Sequence, residues 1–244
     1  MRFSIKNRNG GVSLSGLSPR LTKKSFKWVA VLAVALLPFL SLAAGEKKGG
    51  MSAGMNIRDV FANLHTPGLE TVRKSARLDL TDYWEADSVH KVVTIAGGAA
   101  WLEALTADYL RVRVSPVSVV ELRILPVGTK KIVGCVYTVG DSVQAKDSEI
   151  NFYDSSLRPL DKKKYFKAPE LEEFFNIPKG EESIFKEIRE EVPFPTVAYS
   201  FSPDNTTLTA RLTVEDYVSP DCLPLLRKYM QKDLTAKWKG KYKF

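Results

Sequence analysis

The sequence predicts an α+β fold: an antiparallel β-meander with N-terminal and inserted helices, closed by a C-terminal hairpin, helix and strand. Three observations predict it. Up to Tyr109 the apolar residues cluster at helical spacing. From Leu110 they alternate with polar residues, and four such runs follow one another with no helical segment between them. That pattern marks hairpin-connected strands rather than a parallel sheet. A second block of short amphipathic helices then leads into one more hairpin, a helix and a strand.

Each element follows from its own spacing. In MNIRDVFANL, Ile57, Val60, Phe61 and Leu64 fall on one helical face. Leu69, Val72 and Ala76 continue the pattern, with a turn expected near Arg77–Asp79. AAWLEALTADY reads as a short helix with Trp101, Leu102 and Leu105 on one side, so Asp108 and Tyr109 are expected where a helix hands over to the first strand. Leu110, Val112 and Val114 then share one strand face, with Tyr109, Arg111 and Arg113 on the other. Pro116 ends that strand. Val120, Leu122 and Ile124 alternate with Val119, Glu121 and Arg123. KIVGCVYTV is apolar on both faces and is expected to be a central strand, and SEINFYD places Ile150 and Phe152 together.

In the second block, KAPELEEFFNI and PKGEESIFKEIREEVP read as amphipathic helices, with Ile184, Phe185, Ile188 and Val192 lining the latter and Pro193 ending it. Val197, Tyr199 and Phe201 alternate, Pro203-Asp204-Asn205 turns, and Leu208, Ala210, Leu212 and Val214 alternate back. Asp221 is expected to cap a final helix with Pro224 in its first turn and Leu226, Tyr229, Met230 and Leu234 as its apolar stripe. AKWKGKYKF is expected to close the chain as a strand.

The N-terminus changes the charge argument. Lys23, Lys24 and Lys27 precede an apolar run from Trp28 to Ala44, and Ser41-Leu42-Ala43 supplies a small-x-small step. These are the parts of a secretory signal peptide. Residues 1–43 are therefore expected to be a leader cut after Ala43, with Ala44 as the neighbouring choice and an uncleaved anchor as the rival reading. Residues 44–54 are Gly-rich and polar and read as a flexible linker, and 55–244 reads as one α+β domain divisible into sub-blocks 55–165 and 166–244. The leader holds 7 Lys and Arg and no Asp or Glu, which leaves 29 basic against 28 acidic residues and lowers the formal charge from +8 to +1. Basic character thus belongs to the precursor, and nucleic acid is not an expected partner. The expected location is periplasmic or secreted, with no transmembrane segment after cleavage. Cys135 and Cys222 are expected to be unpaired, because Cys135 suits a doubly buried strand and nothing local brings Cys222 to it.

Chemistry is sparse. The two histidines, His65 and His90, stand in no recognised catalytic or metal spacing, and no zinc, nucleophile-elbow or phosphate-loop motif occurs. No catalytic residue, metal ligand or cofactor is expected. The acids Asp79, Asp82, Glu85 and Asp87 lie beside Tyr83 and Trp84. A glycosidase needs two facing acids beside a sugar-stacking ring, while a solvated helix face with caps needs nothing more than this pattern. In KWKGKYKF, Lys237, Lys239, Lys241 and Lys243 alternate with Trp238, Gly240, Tyr242 and Phe244, which on a strand separates ammoniums from aromatics. Tyr83, Trp84, Lys237, Lys239 and Lys241 are the candidate binding residues. Asn205-Thr206-Thr207 fits the N-glycan sequon, and Asp87-Ser88-Val89 and Asp141-Ser142-Val143 fit a short O-glycan acceptor pattern.

Four stretches in order, NIRDVF (Asn56–Phe61), RLDLTDYWEA (Arg77–Ala86), LTADYL (Leu105–Leu110) and INFYDSSLRPL (Ile150–Leu160), resemble the Bacteroidales family catalogued as domain of unknown function 3256. The resemblance implies an exported protein of gut or oral Bacteroidales, periplasmic or envelope-facing, and brings no activity and no site residues with it. The leading expectation is a non-enzymatic envelope module that binds a protein or glycan partner. The alternative is a carboxylate-based glycan hydrolase using acids of the Asp79–Asp87 segment.

Overall fold

The meander forms strand by strand. The computed structural model describes residues 54–244 apart from 87, 89, 142–144 and 232, so the leader, its cleavage step and the linker before Gly54 lie outside the described residues, as do Asp87, Val89, Ser142 and Val143 of the two O-glycan patterns. Strands β1 (Val92–Val93), β2 (Ala99–Leu105), β3 (Tyr109–Ser115), β4 (Ser118–Val127), β5 (Lys130–Val139) and β6 (Asp147–Tyr153) lie side by side in sequence order, each antiparallel to the next. β4 is buried over its first eight residues, odd and even alike, so this sheet is covered on both faces.

One face carries the N-terminal helices α1 (Ile57–Asn63) and α2 (Lys74–Glu85). The Asn56 side chain caps α1 by accepting from the Arg58 N–H at 2.9 Å. Ile57, Val60, Phe61, Leu64 and Leu80 pack on Leu110, Val112, Val120, Leu122, Val133 and Cys135. The loop between the helices presses its backbone onto the sheet at Gly68, which has φ +83°, and a Cβ there would stand 2.7 Å from Tyr137 and 2.8 Å from Val120.

The other face carries the C-terminal block: α3 (Lys162–Tyr165), β7 (Phe166–Lys167), a 3-10 turn (Leu171–Phe174), α4 (Glu182–Glu191), β8 (Val197–Phe201), β9 (Thr207–Leu212), α5 (Leu223–Tyr229), β10 (Leu234–Lys237) and β11 (Tyr242–Lys243). β10, β9 and β8 form a three-stranded antiparallel sheet, and β11 pairs β7 in parallel. Their apolar side chains meet Leu125, Ile132, Val136, Ile150 and Phe152 of the large sheet. Cys135 faces the N-terminal helices, whereas Cys222 precedes α5 on the opposite face, and both are free thiols. Burial pushes the Cys135 thiol up to about 12.

Several local expectations are corrected. Ala99–Leu105 is a strand, not a helix: its helix-favouring composition yields to pairing with β1 and β3. Asp108-Tyr109 therefore sits in a hairpin, where Thr106 N–H donates to the Tyr109 carbonyl at 2.8 Å. Arg77–Asp79 is mid-helix, because Arg77 turns inward to carbonyl groups rather than out to solvent. KAPELEEFFNI forms the 3-10 turn Leu171–Phe174 rather than an α-helix. Asp221 caps nothing: the final helix begins after Cys222, and Leu234 belongs to β10 rather than to the helical stripe.

The C-terminal strand is broken in two. β10 ends at Lys237, Gly240 (φ +84°) turns the chain, and β11 resumes at Tyr242. The alternation survives the break. Tyr242 is fully buried and its hydroxyl donates to the Thr206 carbonyl at 2.9 Å, while Trp238 is half-buried and donates from Nε1 to the Pro126 carbonyl at 2.6 Å. Trp238 also stacks near Phe152, Tyr165 and Tyr242, so Trp238→Ala is expected to lower stability by about 3 kcal/mol, read as a shifted urea midpoint.

Candidate functional site

Polar side chains gather along β2, β3 and β4. Between Leu102 and Ala104 the β2–β3 register slips by one residue, so Glu103 is the extra residue of a β-bulge. A bulge re-aims its side chain. Here it places Glu103 between two arginines of β3: Oε2 accepts from Arg111 Nε at 2.7 Å and Oε1 from Arg113 Nε at 2.6 Å. Arg111 Nη1 also donates to Glu121, its direct partner on β4. The result is a ladder across three strands, Glu103 to Arg111 to Glu121, with Arg113 as a side rung.

Glu121 is 1% exposed and has a second task. β8 is an edge strand, hydrogen-bonded to β9 alone. Its outward N–H groups meet side chains of the large sheet instead of another strand. Val197 N–H donates to Asp147 at 3.2 Å, Tyr199 N–H to Ser148 at 3.0 Å, and Phe201 N–H to Glu121 Oε2 at 2.8 Å. Two residues along β4, Arg123 Nη1 donates to the carbonyls of Ser202 and Pro203, both at 3.1 Å, and Nη2 to Asp108 at 3.0 Å. Side chains thus seal the edge that would otherwise be open to pairing.

Burial pushes the Glu121 carboxyl up to about 7, against the opposing pull of Arg111, the Phe201 N–H and the Tyr109 hydroxyl. The Arg111 guanidinium is raised, with the Glu121 and Glu103 charges outweighing its desolvation. Glu103 lies below its usual range, because its two arginines outweigh its own burial. Burial raises Tyr109 and takes Tyr199 to about 12, so both stay protonated phenols.

Between the exposed end of the ladder and the β8–β9 hairpin lies a cleft of about 720 Å³. Arg111, Arg113, Lys146 and Arg211 contribute its positive groups; Glu121, Asp141, Glu215 and Asp216 its negative ones. Ser200, Thr138, Thr209 and Thr213 add hydroxyl-bearing side chains. Arg211 is itself braced by Asp233 at 2.7 and 2.9 Å. The cleft mixes apolar surface with four positive and four negative side chains, of which Arg111, Arg113 and Glu121 are joined in the ladder.

The residues singled out from sequence lie elsewhere. Tyr83 is exposed on α2, its ring 4.5 Å from that of His90. Trp84 is half-buried and lines a recess with Met55, Arg58, Leu105 and Thr106. Asp79, Asp82 and Glu85 are exposed on the same helix, and Glu85 pairs with Arg58. Lys237, Lys239 and Lys241 are exposed on the C-terminal block, across the large sheet from Tyr83 and Trp84. The cleft residues were not singled out, although their signal was present: charged residues occupy alternate positions of both RVRV and VELR. Alternation states which residues share a face. It does not state that a second layer covers that face.

Fold and site together define an α+β domain with an open cleft lined by charged side chains of both signs. Among the described residues, no group of three or more His, Cys, Asp or Glu could hold a metal ion, and no helix is long and apolar enough to cross a membrane. The chain belongs to the family described as Protein of unknown function (DUF3256), whose model matches residues 51–244. It is similar in fold to a domain of an uncharacterized protein from Porphyromonas gingivalis W83, with TM-score 0.65 and 24% identity over 78% of this chain and 98% of that one. Comparison with curated proteins returned no match.

Proposed function

We propose that this chain is an exported, non-enzymatic envelope module that binds an extended polar segment of a protein or glycan partner in the inter-sheet cleft. The Glu103–Arg111–Glu121 ladder carries this reading. It fixes the charged groups before a ligand arrives, so binding orders few side chains. Among the described residues, Nη2 of Arg113 makes no hydrogen bond within the protein, and the Arg111 and Arg113 side chains both line the cleft. Those groups suit carboxylate or hydroxyl oxygens. Tyr83 and Trp84 lie on the α2 face, outside this cleft, so any stacking on them by a glycan is a separate contact.

The hydrolase alternative needs two facing acids, one able to give a proton and one to take it. The exposed, outward positions of Asp79, Asp82 and Glu85 on one helix favour binding over hydrolysis, and so does the arginine that pairs with both half-buried Glu103 and buried Glu121.

The test is calorimetric titration of the mature chain against peptide and glycan panels, with Arg113→Ala/Arg211→Ala in parallel. A ligand should bind the parent at least about tenfold more tightly than the double variant, with the thermal transition little changed. Release of reducing sugar from any glycan by the parent would establish the hydrolase instead. Export predicts an intact mass that starts at Ala44 or Gly45, and full-length chain recovered from membranes would establish the anchor.

A further inference from the structure

We infer that the β7–β11 end of the molecule is a docking surface for an anionic lipid headgroup layer. This surface is distinct from the cleft, and its test does not depend on it. Its origin is the chain's path. The parallel pairing of β11 with β7 places Lys243 directly beside Lys167. Lys241 Nζ donates to the Lys163 carbonyl at 2.9 Å, which brings the C-terminal lysines against the Lys162–Lys164 helix. Eight lysines, Lys162–Lys164, Lys167, Lys237, Lys239, Lys241 and Lys243, are thereby gathered from two stretches far apart in sequence, and all eight are exposed. The indole bond from Trp238 to the Pro126 carbonyl sets Lys130 and Lys131, which pair with Val127 and Pro126 at the start of β5, next to them.

No Asp or Glu occurs in residues 234–244 or 162–169. Asp161 spends its carboxylate on the Lys163 N–H at 3.0 Å. Among the described residues every salt bridge uses an arginine, and none uses a lysine. Like charges directly opposite in a ladder are destabilising, and Lys167 against Lys243 is such a pair. The fold tolerates concentrated positive charge here although the chain after its leader is nearly neutral.

The type of cation selects the partner. Arginine's fork reads individual carboxylates and phosphates bidentately, whereas lysine is a mobile point charge suited to a diffuse negative field. The residues lining the cleft and the Trp84 recess include none of these eight lysines, and all eight are exposed. Tyr242 and Trp238 anchor the strand from beneath and leave the ammoniums outward.

Co-sedimentation of the mature chain with vesicles is the test. Vesicles of phosphatidylcholine alone are compared with vesicles holding about 30% phosphatidylglycerol, a stand-in for any anionic headgroup layer. The chain should partition to the anionic vesicles only, and raising salt from about 0.05 to about 0.5 M should release it. At about fivefold per lysine, Ser at positions 163, 167, 241 and 243 together should weaken partitioning by at least about a hundredfold, while Arg at the same four should retain it. Circular dichroism melts confirm that both variants fold. Equal partitioning to neutral vesicles, insensitivity to salt, or undiminished binding by the Ser variant would overturn the inference. So would binding to an anionic polysaccharide or acidic protein with no partition to vesicles.

Discussion

Arg77→Met is expected to lower the unfolding free energy by at least about 4 kcal/mol, much of what holds a domain of this size together. Arg77 is 5% exposed yet makes no ion pair among the described residues. Its guanidinium faces carbonyls instead. Nε donates to Val72 at 2.8 Å, Nη1 to Phe61 at 3.0 Å and Leu64 at 2.7 Å, and Nη2 to Leu69 at 2.8 Å. The carbonyls of Phe61 and Leu64 are last-turn acceptors of α1 that no helical N–H can reach. One side chain of α2 therefore caps α1 and ties down the loop between them. Burial draws the Arg77 pKa down, with Glu70 pulling the other way, so the charge is held at a cost that only complete hydrogen bonding offsets. Methionine fills much of the space but leaves four carbonyls without this donor. Arg77→Lys keeps the charge and loses the fork, and should fall between the two. Urea unfolding followed by circular dichroism measures all three; a methionine variant within about 1 kcal/mol of the parent would mean that water replaces the guanidinium.

Arg77 also shows where sequence reading stopped. A charged residue inside an apolar pattern reads as a turn, because a buried arginine without a counter-ion is rare. The orphan carbonyls that make it affordable belong to a neighbouring helix and are visible only once the two are packed. β2 shows the opposite limit. Ala, Leu and Glu favour a helix, and Trp101, Leu102 and Leu105 even match its spacing, but neighbouring strands on both edges outweigh that preference. The strands from Leu110 to Tyr153 were legible because alternation is a property of the chain itself. The cleft was not. Glu103 gains its place from a bulge, Arg211 comes from a distant hairpin, and Glu121 is buried by a sheet eighty residues further on.

Glu121 joins these layers, and its removal is the second large effect expected. Glu121→Ala should cost about 3 kcal/mol or more, since it strips the Phe201 N–H of its acceptor and Arg111 of one of its two carboxylates. Glu121→Gln separates charge from bonding. The amide oxygen can still accept from Phe201, the amide N–H can donate to the Tyr109 hydroxyl, and Arg111 keeps Glu103. What disappears is the titration. Burial raises this carboxyl from the ordinary 4.5 to about 7, so across that window the folded protein binds a proton that the unfolded chain has released. Stability contributed by this group is complete below pH 4.5 and is lost as pH rises through 7, a fall of about 3 kcal/mol at 1.36 kcal/mol per unit. Parent and Glu121→Gln should therefore be similar in urea at pH 5, and the glutamine variant should be the more stable at pH 8. Matching pH profiles in the two proteins would show that Arg111 and the Phe201 N–H keep the carboxylate ionised throughout, with burial the lesser force.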